Sequence, residues 1–250
     1  MGIFSGCLLA CDIDGTLMVN GEINPRNIEK IDFFMNEGGY FSLSTGRTVG
    51  AVGPVLSKLK KVSPSIVANG SMIYDFENRK VLDELYIPKS DYKAVKAVLE
   101  SGIDAGIEAH SGEKVLTVRA NAETRDHQEY EWLESEEVTF EEAAKYRWNK
   151  VVYLFSSAED LNNVKKFVGK NAENSVFSDT SAVIKGRKRE YYEQLPKGVS
   201  KGSALDKLSK ILKIDKGCVF AAGDYYNDME MLKKADISAV PADSPEEVAA

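Results

Sequence analysis

The chain has 250 residues, 43% of them hydrophobic and 28% charged, which is ordinary globular usage and sets aside long disordered, collagen-like and coiled-coil classes. Its 32 basic and 39 acidic side chains leave a net charge of −7, which argues against broad phosphate-backbone binding and so against nucleic acid as a partner. No apolar run approaches the roughly 18 residues of a membrane helix, and three cysteines with two histidines argue against a disulfide framework or a zinc cage. A cytoplasmic protein with no membrane partner is the working expectation.

The run Cys7-Leu8-Leu9-Ala10-Cys11 has the continuous apolar character of a strand buried on both faces. Its cysteines, like Cys218 far along the chain, are read as small buried hydrophobes. Asn24-Pro25 then opens a helix with its cap and its first-turn proline. The apolar stripe is Ile28, Ile31, Phe34 and Met35, and Gly38-Gly39 closes the helix. A second strand over residues 40–44 ends at Thr45-Gly46-Arg47, a helical stretch follows from about Val49, and a third strand over 65–68 runs into Asn69-Gly70. Strand, helix, strand, helix, strand in this order predicts a parallel sheet with right-handed crossovers.

The pattern changes after residue 70. A hairpin is predicted from 72–75 and 80–83, turning through Glu77-Asn78-Arg79. A helix over 91–101 follows, then strands at 103–109, 114–119 and 150–155, a helix at 159–168, and short strands near 175, 183 and 191. Nine acids fall between Glu123 and Glu142 with one arginine, a run expected to be a solvated face. Lys185-Gly186-Arg187-Lys188-Arg189 is the dense basic run, read as a solvated hairpin. Trp132, Trp148 and Tyr146 are expected in core or interface, and His110 and His127 are left structural.

The first pattern returns near residue 200. Ser200 caps a helix with the stripe Ala204, Leu205, Leu208, Ile211 and Leu212, and the strand at 218–222 leads into Gly223-Asp224. A helix through Met231 and a strand at 237–240 complete the pattern. The fold class expected is α/β: a Rossmann-like parallel-sheet core made of residues 1–83 plus 196–250, interrupted by an inserted α+β cap over 84–195.

Chemistry concentrates at the carboxyl ends of the core strands. Asp12-Ile13-Asp14-Gly15-Thr16-Leu17 follows directly on the first strand, and side chains two apart in extended chain face the same way. A match to five such residues arises by chance at roughly 10⁻⁶ per position. Ser44-Thr45-Gly46 ends the second strand at the start of a helical stretch and offers a hydroxyl and backbone N–H groups to a phosphate. Lys201 supplies a point positive charge, and Gly223-Asp224-Tyr225-Tyr226-Asn227-Asp228 adds two carboxylates and an amide. Each of the last three pieces alone has an ordinary turn or capping explanation. Together they converge where open α/β sheets bind ligands.

Clustered carboxylates repel unless a cation sits among them, and oxygen ligands beside a phosphate suit Mg²⁺. With that charge and Lys201 neutralising a phosphate ester, Thr45 and the Gly46 N–H position it, and Asp12 attacks phosphorus to give an aspartyl phosphate. Asp14 then protonates the leaving alcohol and later serves as base toward water.

These residues resemble the haloacid-dehalogenase superfamily of phosphotransferases, and within it the Cof-type hydrolases. The matching pieces are DIDGTL at 12–17, STGR at 44–47, ANG at 68–70, KGSAL at 201–205 and GDYYND at 223–228. The resemblance implies Asp12 as nucleophile, Asp14 as acid/base, and Thr45 and Lys201 on the phosphoryl group. It implies Mg²⁺ on the Asp12 side chain, the Asp14 carbonyl and Asp224, with Asp228 close by, and Asn227 as a further phosphate contact. The chain departs from the family's usual Met-Gly-Asn-Ala loop at Val240-Pro241-Ala242-Asp243-Ser244, and stops at Ala250 where relatives usually continue for another strand.

The function expected is a Mg²⁺-dependent phosphatase of small phosphorylated metabolites, sugar phosphates first among them, working as a monomer or small homo-oligomer. The alternatives are a phosphomutase of the same superfamily and a phospho-accepting receiver-like signalling protein. The inserted domain and an Asp14 two residues after the nucleophile count against a receiver.

Overall fold

A computed structural model describes residues 2–249 apart from Lys185, and for residues 180–184, 187 and 188 the backbone alone. The chain divides into two compact units. The first takes residues up to Arg47, Val52–Glu84 and Val199 onward; the second takes Thr48–Ala51 and Leu85–Gly198.

The first unit begins with β1 (Leu8–Cys11), the short hairpin of β2 (Met18–Val19) and β3 (Glu22–Ile23), α1 (Pro25–Asn36) and β4 (Tyr40–Leu43). Asn24 caps α1 through its side chain, which accepts from the Arg26 N–H at 3.0 Å, and Ile31 and Phe34 are the buried members of its stripe. A short turn of helix, α2 (Gly53–Leu56), precedes β5 (Ser65–Val67), β6 (Met72–Asp75) and β7 (Lys80–Glu84). The predicted hairpin is therefore present. The third strand, β5, lies beside β4 in the expected parallel sense, joined by the bridge Ser44–Ile66 and by the Leu43 N–H donating to the Ser65 hydroxyl at 3.0 Å, but its ladder is the antiparallel one of the sheet β5-β6-β7.

The second unit supplies α3 (Lys93–Glu100), β8 (Ala105–Ser111), β9 (Lys114–Arg119), α4 (Ala122–Glu131), β10 (Ser135–Glu137), α5 (Phe140–Ala143), β11 (Lys150–Phe155), α6 (Ala158–Asn171), β12 (Ser175–Ile184) and β13 (Arg187–Pro196). They form a six-stranded sheet of order β10-β9-β8-β11-β13-β12. Val95 and Val98 of α3 and Val164 and Val168 of α6 pack on Ile107, Ala109, Val151 and Tyr153, and Trp148 stacks on Tyr92 at 3.6 Å inside the same core. The short strands expected near 175, 183 and 191 are one hairpin of two ten-residue strands, in register from Ser175–Pro196 to Ile184–Arg187. Polar residues on β12 hide its length from a reading of apolar runs. Within the basic run at its turn, Lys185 lies outside the described residues, as do the side chains of Arg187 and Lys188, while Arg189 pairs with Glu123 and Asp126.

The acidic stretch after residue 120 also holds more structure than its composition advertises. Asn121 and Thr124 form a capping box that starts α4, and α4 lays His127 against Glu108 of β8. Trp132, expected in a core or an interface, is half exposed at the end of that helix.

The chain then returns to the first unit with α7 (Lys201–Leu212), β14 (Val219–Ala222), α8 (Met229–Lys234), β15 (Ile237–Ala239) and α9 (Glu246–Ala249). The main sheet has the order β15-β14-β1-β4, all parallel. β1 is central, which explains its unbroken apolar run. Ala204, Leu205 and Leu208 of α7 pack on Leu8, Ala10 and Ala221 of the sheet, while Ile211 faces outward and is exposed. Ser200 and Ser203 form the capping box that begins α7. No helix among the described residues is long and apolar enough to cross a membrane.

Candidate active site

Asp12 is the first residue beyond β1, and its backbone N–H still donates to Ala222 of β14 at 2.9 Å. The sheet ladder thus holds the nucleophile candidate to within one peptide of a buried strand. Gly15 then turns the chain at φ +89°, where a side chain would collide with the Asp224 carboxylate. That collision gives the glycine of the motif its physical reason.

The Lys201 ammonium reaches into this corner from the first turn of α7, itself started by the capping box. It donates to Asp12 Oδ1 at 2.6 Å and to Asp228 Oδ1 at 2.7 Å. The other Asp228 oxygen accepts the Asp224 and Tyr225 N–H groups, both at 3.1 Å, which fixes the loop after β14. Asp224 accepts from the Thr16 hydroxyl at 2.9 Å. Two carboxylates therefore share Lys201 with the third beside them, and ligand atoms of Asp12, Asp224 and Asp228 all lie within 4.8 Å of one another.

The electrostatics follow from that shortage of positive charge. Burial, with the nearby Asp228 charge adding to it, pushes the Asp12 carboxyl well above the ordinary carboxylate range, against the pull of Lys201. Burial also raises Asp224, with the Thr16 hydroxyl opposing and Asp228 reinforcing. Burial alone would make Lys201 less basic, but the two carboxylates it bridges overcome this and keep its ammonium charged. A set of oxygen donors with surplus negative charge is the environment a hard divalent cation neutralises, so these residues fit Mg²⁺.

Asp14 points elsewhere. Its carboxylate receives two bonds from the buried Arg47 guanidinium, Nε to Oδ2 and Nη2 to Oδ1, each at 2.8 Å. Thr45 is buried and its hydroxyl accepts from the Arg47 N–H at 3.1 Å, while its backbone N–H donates to Ile66 at 3.0 Å. A Cβ at Gly46 would lie 3.2 Å from the Asn69 amide. Asn69, in the left-handed region at φ 54°, accepts from the Asn227 side chain at 3.2 Å.

The structure thus gathers Asp12, Lys201, Asp224 and Asp228 into one cluster, with Thr16 bonded to its edge. It sets Asp14 on Arg47, and brings Gly46 and Asn227 together around Asn69. Sequence reasoning gave Arg47, Asn69 and Thr16 no role, although each stands inside a quoted motif. An arginine and an asparagine placed directly at strand ends were the signal available.

A family model of haloacid dehalogenase-like hydrolases matches residues 9–250. A 5-amino-6-(5-phospho-D-ribitylamino)uracil phosphatase of Bacillus subtilis is 27% identical over 231 residues, spanning 92% of this chain and 81% of that protein. Among solved structures, TM0651 of Thermotoga maritima aligns with a TM-score of 0.82 at 21% identity, over 97% of this chain and 89% of its own. The subclass IIB sugar phosphatase BT4131 aligns with a TM-score of 0.80 at 19% identity, over 97% of this chain and 90% of its own. The chain belongs to the haloacid dehalogenase-like hydrolase family and is a phosphatase.

Proposed function

We propose that the protein is a Mg²⁺-dependent phosphatase that hydrolyses small phosphorylated metabolites, sugar phosphates first among them, through an aspartyl phosphate on Asp12. The observation that carries this reading is the buried Asp12 carboxylate at the end of β1, bridged through Lys201 to Asp228 with Asp224 in reach. Asp12, Asp224 and Asp228, with the Asp14 carbonyl, would hold Mg²⁺, whose charge offsets that of the phosphate.

The chain's own groups supply the rest. Thr45, the Gly46 N–H and Asn227 orient the phosphoryl group, and Lys201 neutralises it. An Asp12 oxygen attacks phosphorus as the ester oxygen departs with a proton from Asp14. Water then attacks the aspartyl phosphate, giving its proton to Asp14 and releasing inorganic phosphate and free Asp12. Arg47 keeps the Asp14 carboxyl in place through both steps. Residues 84–195 are assigned the selection of substrate, and the cytoplasmic setting expected from the sequence belongs to the same proposal.

Phosphate release from a panel of sugar phosphates and other metabolite esters, with and without Mg²⁺, tests the reading. Wild type is expected to need the metal, and Asp12→Asn to lose about 10³-fold or more in kcat. Equal activity in the two proteins overturns the mechanism. Isomerisation of a hexose 1-phosphate without free phosphate would point to a mutase instead.

A further inference from the structure

Cys7 and Cys218 are separated by most of the sequence, yet their sulfurs are 2.7 Å apart, with the Cys7 thiol donating to Cys218. Sheet topology makes them neighbours. The β1–β14 register begins with Leu8 opposite Val219, so one residue further back Cys7 faces Cys218. The Leu8 N–H donates to the Cys218 carbonyl at 2.9 Å and locks that pairing. Gly217, at φ +82°, turns the chain directly ahead of Cys218. Side chains facing each other on adjacent strands are about 5 Å apart at the backbone, inside the range a disulfide spans. Both cysteines are free thiols; Cys7 is buried and Cys218 is partly exposed.

We propose that Cys7 and Cys218 are a reversible thiol–disulfide site that fastens the amino-terminal ends of β1 and β14 when a low-molecular-weight disulfide is present as oxidant. The partly exposed Cys218, as thiolate, attacks one sulfur of the oxidant, forming a mixed disulfide and expelling the other half as a thiolate. Cys7 then loses its proton to solvent and attacks the Cys218 sulfur, forming the intramolecular bond and expelling the second half. Two protein thiols are oxidised by two electrons and one small disulfide is reduced to two thiols. Burial, with Cys218 beside it, pushes the Cys7 thiol up to about 11, so Cys218 is the entry point.

The third thiol does not compete. Cys11 is buried, and its Sγ donates to the Asp12 carbonyl at 3.2 Å. The new bond lies five residues before Asp12, about 16 Å along an extended strand. Its effect is therefore on stability and not on turnover. It closes a covalent loop around nearly the whole chain, and long loops lose the most unfolded-state freedom.

The test uses the full chain incubated with oxidised glutathione at pH 8, then alkylated in denaturant. Titratable thiols are expected to fall from three to one, with a mass loss of about 2 Da. Peptide mapping is expected to link Cys7 with Cys218. Tm is expected to rise by about 5–10 °C and to return with dithiothreitol. Cys7→Ser and Cys218→Ser are expected to show neither change and to keep wild-type phosphate release. Three remaining thiols, glutathione adducts without an internal link, or a linked form that melts with the reduced one would overturn the proposal.

Discussion

Arg47 is almost fully buried and presents two donors to Asp14 in a fork that lysine cannot reproduce. If that fork holds the proton donor, its loss is felt most where the leaving group needs a proton. Arg47→Lys is expected to lower kcat/KM, which reports the step that expels the leaving group, about 10–100-fold on an alkyl phosphate, yet only a few-fold on p-nitrophenyl phosphate, whose leaving group departs unaided. Steady-state kinetics on the two substrates check this, and equal losses on both would reduce Arg47 to a structural part. The carboxylates and Lys201 were legible in the sequence because each stands directly after or before a strand or helix signal. Their partners were not. The Arg47–Asp14 pair spans 33 positions and Asn227–Asn69 spans 158, and spacing along a chain carries no information about which distant side chains meet.

At the scale of elements, α4 and β8 are joined by a buried charge cluster that draws Glu131 in from the acidic run expected as a solvated face. His127 Nδ1 lies 2.8 Å from Glu108 Oε2, and Glu131 stands 3.6 Å from the other ring nitrogen. His110 faces the same carboxylate at 3.6 Å, and Lys150 on the neighbouring β11 pairs with Glu193 at 3.1 Å. Burial alone would lower His127, but Glu108 and Glu131 overcome it and hold the imidazolium to about 10, against an ordinary 6.5. Burial works against ionised Glu108 too, yet His127 and His110 keep its carboxyl below the usual range. A base strengthened by folding stabilises the fold fully below its unfolded value, and that contribution drains away as pH rises toward the folded one. The wild-type denaturant midpoint is therefore expected to fall between about pH 6.5 and 10, and His127→Gln to flatten that fall. A variant that declines as steeply as wild type contradicts the assignment. Parallel strands and their helices were legible here through apolar periodicity, whereas α4, with few apolar residues to mark a face, was not predicted, and its start is set by the Asn121–Thr124 capping box.

For the molecule as a whole, the second unit is nearly continuous in sequence, from Leu85 to Gly198 apart from the short piece Thr48–Ala51. It owns a core of α3 and α6 side chains against one face of a six-stranded sheet. A segment with its own core and sheet folds by itself. Residues 85–198 expressed alone are expected to unfold in one cooperative thermal transition, with mixed helix and strand content by circular dichroism. A non-cooperative melt would contradict this. The first unit offers no such fragment, because its central strand is β1 and one of that strand's two partners is β14. On a ribosome adding about 5–20 residues per second, the edge of β1 that receives Val219–Ala222 waits some 10–40 s for its partner to be made. During that interval an apolar strand edge stands open to other nascent chains, so the newborn protein's need for chaperone cover starts with β1 and persists until β14 has been made.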